Sequence, residues 1–334
     1  MLKFVVRRLL LLVPILLGLS LLLFVWLRAL PGGPAQALLG ERATAESVAR
    51  IEELYGLNEP WYVQYWKFVS AAVRLDFGNS ANTNRPVTEE MMRTFPATFE
   101  LATAALIFAV GVGIPLGYFA ARKYGSWLDN LSVSGSLLGV AVPVFFLAYI
   151  LKYVFSVKLG WFPTQGRDDP RIDADHPTGL YVLDGIITGN LEASWDAIMH
   201  LVLPAIALGA IPLAIIVRIT RASVLDVVHE DYVRTAEAKG LHERTITRRH
   251  VLRNALLPVV TVIGLSAGLL FSGAILTETV FAFDGVGRFI YEAITVRDYA
   301  VLQGFILVIA AMYVIVNLLV DVSYGLIDPR VRVR

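Results

Sequence analysis

Six apolar runs divide the chain, at residues 8–30, 99–121, 131–157, 198–219, 256–280 and 301–325. A helical crossing of a hydrocarbon layer needs about 20 apolar residues, and each run meets that length. The pattern predicts an all-α, polytopic membrane protein with six transmembrane helices. Arg7 and Arg8 precede the first run, and Ala35-Gln36-Ala37 after it has the small-residue form of a signal cleavage site. Its apolar stretch from Leu9 to Leu27 exceeds the roughly 7–15 residues of a signal core, so an uncleaved first helix is expected.

The polar intervals have patterns of their own. Between runs one and two, "TAESVARIEELYG" places Val48, Ile51 and Tyr55 on one helical face and stops at Gly56. "NEPWYVQYWKFVSAAV" then offers Asn58 as a cap, Pro60 in the first turn, and Trp61, Tyr62, Tyr65, Trp66 and Phe68. Two placements suit so aromatic a helix: the headgroup level of a bilayer, or a small external core packed on the bundle. Between runs four and five, "HEDYVRTAEAKGLHERTITRRHVLRN" (229–254) is charged and punctuated by one glycine. Glu230 and Asp231 open its first segment and Lys239 and Gly240 close it, the order a short helix takes from its dipole and cap. About nine residues make a rod near 14 Å, too short to cross a membrane. If Gly240 holds a left-handed cap, a second helix redirected by it runs on through Thr245 into the fifth run.

Composition agrees. The 334 residues are 56% hydrophobic and 17% charged, too apolar to hide in one soluble core. Net charge is +1, so nothing suggests nucleic acid, and zero cysteines exclude disulfides, thiol nucleophiles and Cys-based zinc sites. The positions of the cations carry more information than their sum. Lys3, Arg7 and Arg8 precede run one, Arg122 and Lys123 follow run two, and Arg330, Arg332 and Arg334 end the chain. Between runs four and five come Arg218, Arg221, Arg234, Lys239, Arg244, Arg248, Arg249 and Arg253. All these segments fall on one side of a six-span arrangement, which places both termini and the 229–254 hairpin in the cytoplasm. The interval 158–197 is acidic, with Asp168, Asp169, Asp173 and Asp175 clustered after Arg167, and belongs outside.

Within the runs, "GVGIPLG" (111–117) brings small residues together, which lets helix backbones approach closely. Pro115, Pro143, Pro204 and Pro212 would kink or locally unwind their helices. Four charges lie near span ends, Arg28, Lys152, Glu278 and Asp321, and are expected to snorkel to the interface. On that reading no buried carboxylate or histidine chain remains for proton or sodium coupling. "GLSAG" (264–268) matches G-x-S-x-G, but Ser266 falls mid-helix rather than on a strand-to-helix turn. His176, His200, His229, His242 and His250 show no metal-ligand spacing, and there is no phosphate-binding G-x-x-x-x-G-K-[ST] loop. No catalytic residue, metal or cofactor is expected, and the chain cannot hydrolyse ATP by itself.

The hairpin resembles the EAA loop of ABC-importer permeases, with Arg234-Thr235-Ala236 standing where E-A-A would and Gly240 aligned on the motif's glycine. The likeness is closest to permeases of the peptide/nickel group. "RRLLLLVPILLGLSLLLFVWLRALPGGPA" resembles that group's first span and "RPVTEEMMRTFPATFELATAALIFAVGVGIPLG" its second, while "GAILTETVFAFDGVGRFIYEAITVRDYAVLQG" (273–304) resembles its signature between the last two spans. Phe283-Asp284 stands in place of the Trp-Pro common there, which leaves the local turn open.

The resemblance implies an N-terminal transmembrane helix (1–30), an external segment (31–98), a five-helix permease core (99–325) including a coupling loop (221–255), and a cytoplasmic tail (326–334). It implies a bacterial inner-membrane subunit of a dipeptide or short-oligopeptide importer. Its partners would be a second homologous permease, two ABC ATPases, and a periplasmic or lipid-anchored binding protein. ATPase contacts are expected at Glu230, Asp231, Tyr232, Arg234, Thr235, Ala236, Lys239, Gly240 and Leu241, and binding-protein contacts at Arg167, Asp168, Asp169, Asp173 and Asp175. Nickel, haem, glutathione or oligosaccharide uptake within the same group, an ion-coupled carrier, and an intramembrane hydrolase using Ser266 are the competing readings.

Overall fold

A computed structural model describes residues 2–29, 35, 44–54 and 56–327. The expectations for Tyr55, for Gln36-Ala37, for the side chains of Lys3, Arg7, Arg8 and Asp321, and for Arg330, Arg332 and Arg334 lie outside what is described. The described residues are helical, with one isolated bridge between Asn79 and Pro86 and no longer strand. The chain divides into two units, residues 1–97 with 284–315 and residues 98–283 with 316–334.

The first unit contains α1 (Leu2–Ala29), α2 (Ala45–Leu54), α3 (Trp61–Val73), the start of α4 (Val87–Arg122), α13 (Val286–Val296) and the start of α14 (Tyr299–Ile327). Pro60, not Asn58, occupies the N-cap of α3, where its missing N–H costs nothing because that donor would be unpaired anyway. The aromatic helix has two faces. Tyr65 and Phe68 pack on the buried Phe24 of α1 with ring centroids 5.3 and 6.2 Å away, while Trp61, Tyr62 and Trp66 stay exposed. The unit's core gathers Val87 and Met91 of α4, Val286, Ile290 and Ala293 of α13, and Leu302 and Phe305 of α14. Buried Asp298 ties the strand-like turn at 79–86 to α14, accepting from Ser80 Oγ at 2.6 Å.

The second unit holds the remainder of α4, α5 (Trp127–Ala141), α6 (Val144–Leu151), α7 (Tyr181–Ile187), α8 (Leu191–Val228), α9 (Asp231–Ala238), α10 (Glu243–Thr245), α11 (Arg253–Gly273) and α12 (Ile275–Phe281). Single π-helical turns, Lys152–Lys158 and Ile246–Leu252, extend α6 and join α10 to α11. Helix α8 is the centre of this unit: α5, α6, α7, α11 and α12 all pack on it. Two of the three glycines of "GVGIPLG", Gly113 and Gly117, act as expected, and Gly111 faces open space. A Cβ on Gly117 would lie 2.6 Å from the Val217 carbonyl oxygen, and one on Gly113 would lie 2.8 Å from Ile216, so α4 sits against α8 nearly backbone to backbone.

Among the described residues, four helices are long and apolar enough to cross a membrane, namely Val87–Arg122, Leu191–Val228, Glu243–Leu270 and Tyr299–Leu318. The run at 131–157 is not one straight span: α5 and α6 meet at 107° around Pro143, and counting that bent pair gives five. Pro143 cannot donate to the preceding turn and forces Val142 out of helical geometry, to ψ 124°. By contrast, α8 stays helical through Pro204 and Pro212. The fifth run is also interrupted, since α11 ends at Gly273 and α12 begins at Ile275.

Candidate functional site

The 229–254 stretch folds as the expected helix-glycine-helix hairpin. Glu230 has extended geometry (ψ 143°) at the N-cap, and α9 follows for eight residues. At its end the Gly240 N–H donates to the Glu237 carbonyl (2.9 Å) and the Leu241 N–H to that of Ala236 (3.3 Å). Those two bonds form a Schellman motif, and Gly240 adopts the left-handed φ of +74° that the motif requires. His242 then caps α10 by accepting from the Arg244 N–H.

Helix α9 is anchored on one side. Val233 and Ala236, three residues apart, are buried among Ala121 of α4, Val224 of α8, Ile246, Val251 and Ala255. Burying Val233 is worth about 1.5–3 kcal/mol, enough to seat a helix too short to persist in water. This corrects the expectation of an ATPase contact at Ala236: it is 4% exposed and lets α9 approach its own bundle. Glu230, Asp231, Tyr232, Arg234, Thr235, Lys239, Gly240 and Leu241 are exposed, and Tyr232 and Leu241 are large side chains left partly bare.

Polar ties bind the hairpin to the helices above it. Arg122, the last residue of α4, pairs with Glu243. Tyr232 accepts from Asn254 Nδ2 at 2.9 Å. Arg221, two turns before the end of α8, grips Asp129 of α5 with a two-pronged fork, one prong from Nη2 at 2.8 Å. Asp129 is 2% exposed and also accepts from the Gly125 N–H at 3.0 Å, so its charge is paired and hydrogen-bonded as a buried carboxylate must be.

The acidic segment 158–197 is folded onto the helices around it. Arg167 was expected to face a binding protein, but it is 8% exposed, pairs with Glu100 of α4 at 2.7 Å, donates to the Gly179 carbonyl and lies 3.7 Å over the Tyr181 ring. It holds the segment down. Glu100 is the hub, its second oxygen accepting from the Val182 N–H at 2.8 Å. His176 stacks on Tyr181 with centroids 3.6 Å apart and has Asp168 3.6 Å from Nε2. The Asp169 N–H donates to Asp196 at 2.7 Å. Asp173 and Asp175 are exposed, with Asp168 and Asp169 half-buried.

One snorkelling expectation fails: Glu278 is fully buried and accepts from Thr98 Oγ1 at 2.6 Å. Lys152 is half-buried and donates to the Val280 carbonyl at 2.7 Å. Glu278 lies in the short helix α12, with Thr277, Val280 and Phe281 also buried. A buried carboxylate is therefore present, and its absence cannot be used against ion coupling. Arg28 is half-buried over Phe24. Ser266 lies inside α11, 4% exposed, with no strand-to-helix turn around it. Among the described residues no group of three or more His, Asp or Glu could hold a metal. Glu100 and Asp129 are site residues the sequence reading missed, and Glu278 is one it placed at the interface. Only Asp129 left a local sign, Ser126-x-x-Asp129, which is a helix-capping pattern.

Two family profiles cover nearly the whole chain: "Binding-prot-dependent transport system membrane comp, N-term" over residues 1–102 and "Binding-protein-dependent transport system inner membrane component" over residues 113–333. The chain belongs to the binding-protein-dependent transport permeases. This permease is 48% identical to the dipeptide transport system permease protein DppB of Alkalihalophilus pseudofirmus, over 99% of this chain and all of that one. It is 45% identical to DppB of Escherichia coli K12, covering 99% of each. It is also 39% identical to the glutathione transport system permease protein GsiC of Escherichia coli O1:K1, again over 99% of each. The solved structure of the MetNI methionine ABC transporter, in an inward-facing form, matches 72% of the permease and 97% of its own chain with a TM-score of 0.51 at 14% identity, a likeness of fold.

Proposed function

We propose that this permease is the membrane subunit of an ATP-driven importer that takes up dipeptides and short oligopeptides delivered by a substrate-binding protein. The observation that carries this is end-to-end identity of 44–48% with permeases named for dipeptide or di/tripeptide transport. A glutathione permease at 39% identity favours a second reading, a peptide-like thiol as substrate.

The working complex on this reading contains a second homologous permease, two ABC ATPases and a periplasmic or lipid-anchored binding protein in a bacterial inner membrane. The permease has six spans, α1 and the bent α5–α6 pair included, with both termini and the 229–254 hairpin in the cytoplasm. The exposed face of α9 (Asp231, Tyr232, Arg234, Thr235, Lys239), with Glu230, Gly240 and Leu241, meets an ATPase. The exposed Asp173 and Asp175, with Asp168 and Asp169 behind them, meet the binding protein, and Arg167 acts indirectly by holding their loop on Glu100.

Physically, the permease supplies no bond-breaking chemistry in this scheme; its task is to transmit displacement. ATP-driven closure of the ATPases moves α9. Val233 and Ala236 pass that movement to α4 and α8 through their shared apolar cluster, and the Arg122–Glu243 pair adds a tie to α4. Close contact at Gly113 and Gly117 makes α4 and α8 move as a block, and the Asp129–Arg221 fork carries α5 with them.

The test is uptake by the complete complex in proteoliposomes, with a labelled dipeptide challenged by unlabelled dipeptides and by glutathione. Competition by dipeptides supports the first reading. Saturable glutathione uptake with no dipeptide competition replaces it with the second.

A further inference from the structure

The first unit contains a cavity that the transport scheme does not use. A mouth of 370 Å³ sets Arg28, Gln64, Lys67, Asp76, Asn79 and Gln303 among apolar lining residues such as Leu57, Phe68 and Ala300. A dry groove of 210 Å³ lined by Leu16, Leu17, Val69, Leu75, Leu307 and Val308 adjoins it, and Phe77 borders both. The polarity is ordered along the two flanking helices in the same sense. On α1 the mouth residue Arg28 stands 11–12 positions from Leu16 and Leu17, about 17 Å at helical rise, and on α14 Gln303 precedes Leu307 and Val308. One leaflet of a bilayer has hydrocarbon of about 15 Å depth, half of roughly 30 Å. A polar group above an apolar slot whose far end lies at that depth has the shape of a lipid headgroup above an acyl chain.

The charges at the mouth narrow the ligand further. Arg28 donates Nε to Gln64 Oε1 at 3.1 Å and Nη1 to the Phe24 carbonyl at 3.4 Å, and no described carboxylate pairs with it. Its remaining N–H groups form the planar fork that suits phosphate oxygens. Lys67 stands beside it, held by Glu59 at 2.6 Å. Asp76 is exposed at the rim and accepts the Gly78 N–H on Oδ1 at 3.1 Å, which leaves Oδ2 available to a cation. The groove's one hydroxyl, Ser20 Oγ, is already taken by the Leu17 carbonyl and Tyr65. A helix from a companion subunit would have to bring its own carboxylate to Arg28, whereas a phospholipid supplies both the phosphate and the chain.

We propose that this cavity binds one phospholipid with an amine-bearing headgroup, its phosphate on Arg28 and Lys67, its ammonium toward Asp76, and one acyl chain in the α1–α3–α14 groove. The full-length permease, delipidated in mild detergent, is titrated with phosphatidylethanolamine, phosphatidylglycerol or diacylglycerol and read by native mass spectrometry. Wild type binds a single phosphatidylethanolamine most tightly and diacylglycerol not at all. Arg28→Gln weakens that adduct about tenfold, the loss of one charge-assisted contact of about 1.4 kcal/mol, and Arg28→Lys retains most of it. Asp76→Asn removes the preference over phosphatidylglycerol. Leu307→Trp fills the groove and expels the lipid with Arg28 untouched, which separates binding from misfolding. Equal adducts in wild type, Arg28→Gln and Leu307→Trp, or equal binding of diacylglycerol, would overturn the assignment.

Discussion

Replacing Gly240 tests the lever at its hinge. Its φ of +74° is one that L side chains resist, yet a Cβ built there meets nothing within 4 Å. Steric crowding therefore contributes nothing, and the cost is the left-handed backbone alone, roughly 1–2 kcal/mol for an ordinary residue and less for asparagine. A branched residue adds restriction at χ1, so the expected order of hairpin integrity is Gly, then Asn, then Ala, then Val. One to two kcal/mol is a factor of about 5–30 in the population of the capped hairpin. Hydrogen exchange at the Gly240 and Leu241 amides, which close the Schellman motif, should accelerate by that factor in Gly240→Val. Substrate-stimulated ATPase activity of the assembled complex should fall in the same order as uptake. Wild-type activity in Gly240→Val would refute the hinge. Asparagine behaving as badly as valine would show that a partner surface, not the backbone, requires glycine here.

Other consequences follow from the packing. Gly117→Ala should lower the thermal midpoint sharply, because its Cβ would sit 2.6 Å from the Val217 carbonyl oxygen, while Gly111→Ala, with open space around it, should leave the midpoint unchanged. Asp129→Asn should cost about 3 kcal/mol by stranding part of a buried ion pair, and Arg221→Lys should be less destabilising yet still reduce uptake per ATP hydrolysed, because the fork that carries α5 is lost. Equal uptake per ATP in Arg221→Lys and wild type would remove that link from the scheme. Ala282 closes α12 in left-handed geometry at φ +50°, so Ala282→Gly should raise thermal stability by about 1 kcal/mol, and a fall would show that its methyl group packs usefully.

The hairpin was legible in the sequence because its determinants are local. Acids before bases, a glycine at the turn and one inward apolar pair fix α9 and its cap within a dozen residues. The glycine contacts of α4 were legible for a related reason, since only close backbone approach needs that spacing of small residues. What remained hidden depends on distant partners. Asp129 meets Arg221 across 92 positions, Arg167 meets Glu100 across 67, and Glu278 meets Thr98 across 180. Apolar runs alone could not show that Pro143 breaks the third span or that α11 stops at Gly273, because an interrupted helix and a continuous one have the same hydropathy. The turn after α12, left open by Phe283 in place of Trp, closes with the Phe283 N–H on the Glu278 carbonyl at 2.8 Å.

Reconstitution separates a transmitting subunit from a self-powered carrier most directly. Proteoliposomes holding the permease alone, and others holding it with its companion permease, both ATPases, the binding protein and ATP, are given labelled dipeptide under identical ion gradients. Accumulation against the peptide gradient is expected only in the second set, and only while ATP is hydrolysed. Concentrative uptake by the permease alone would contradict the account.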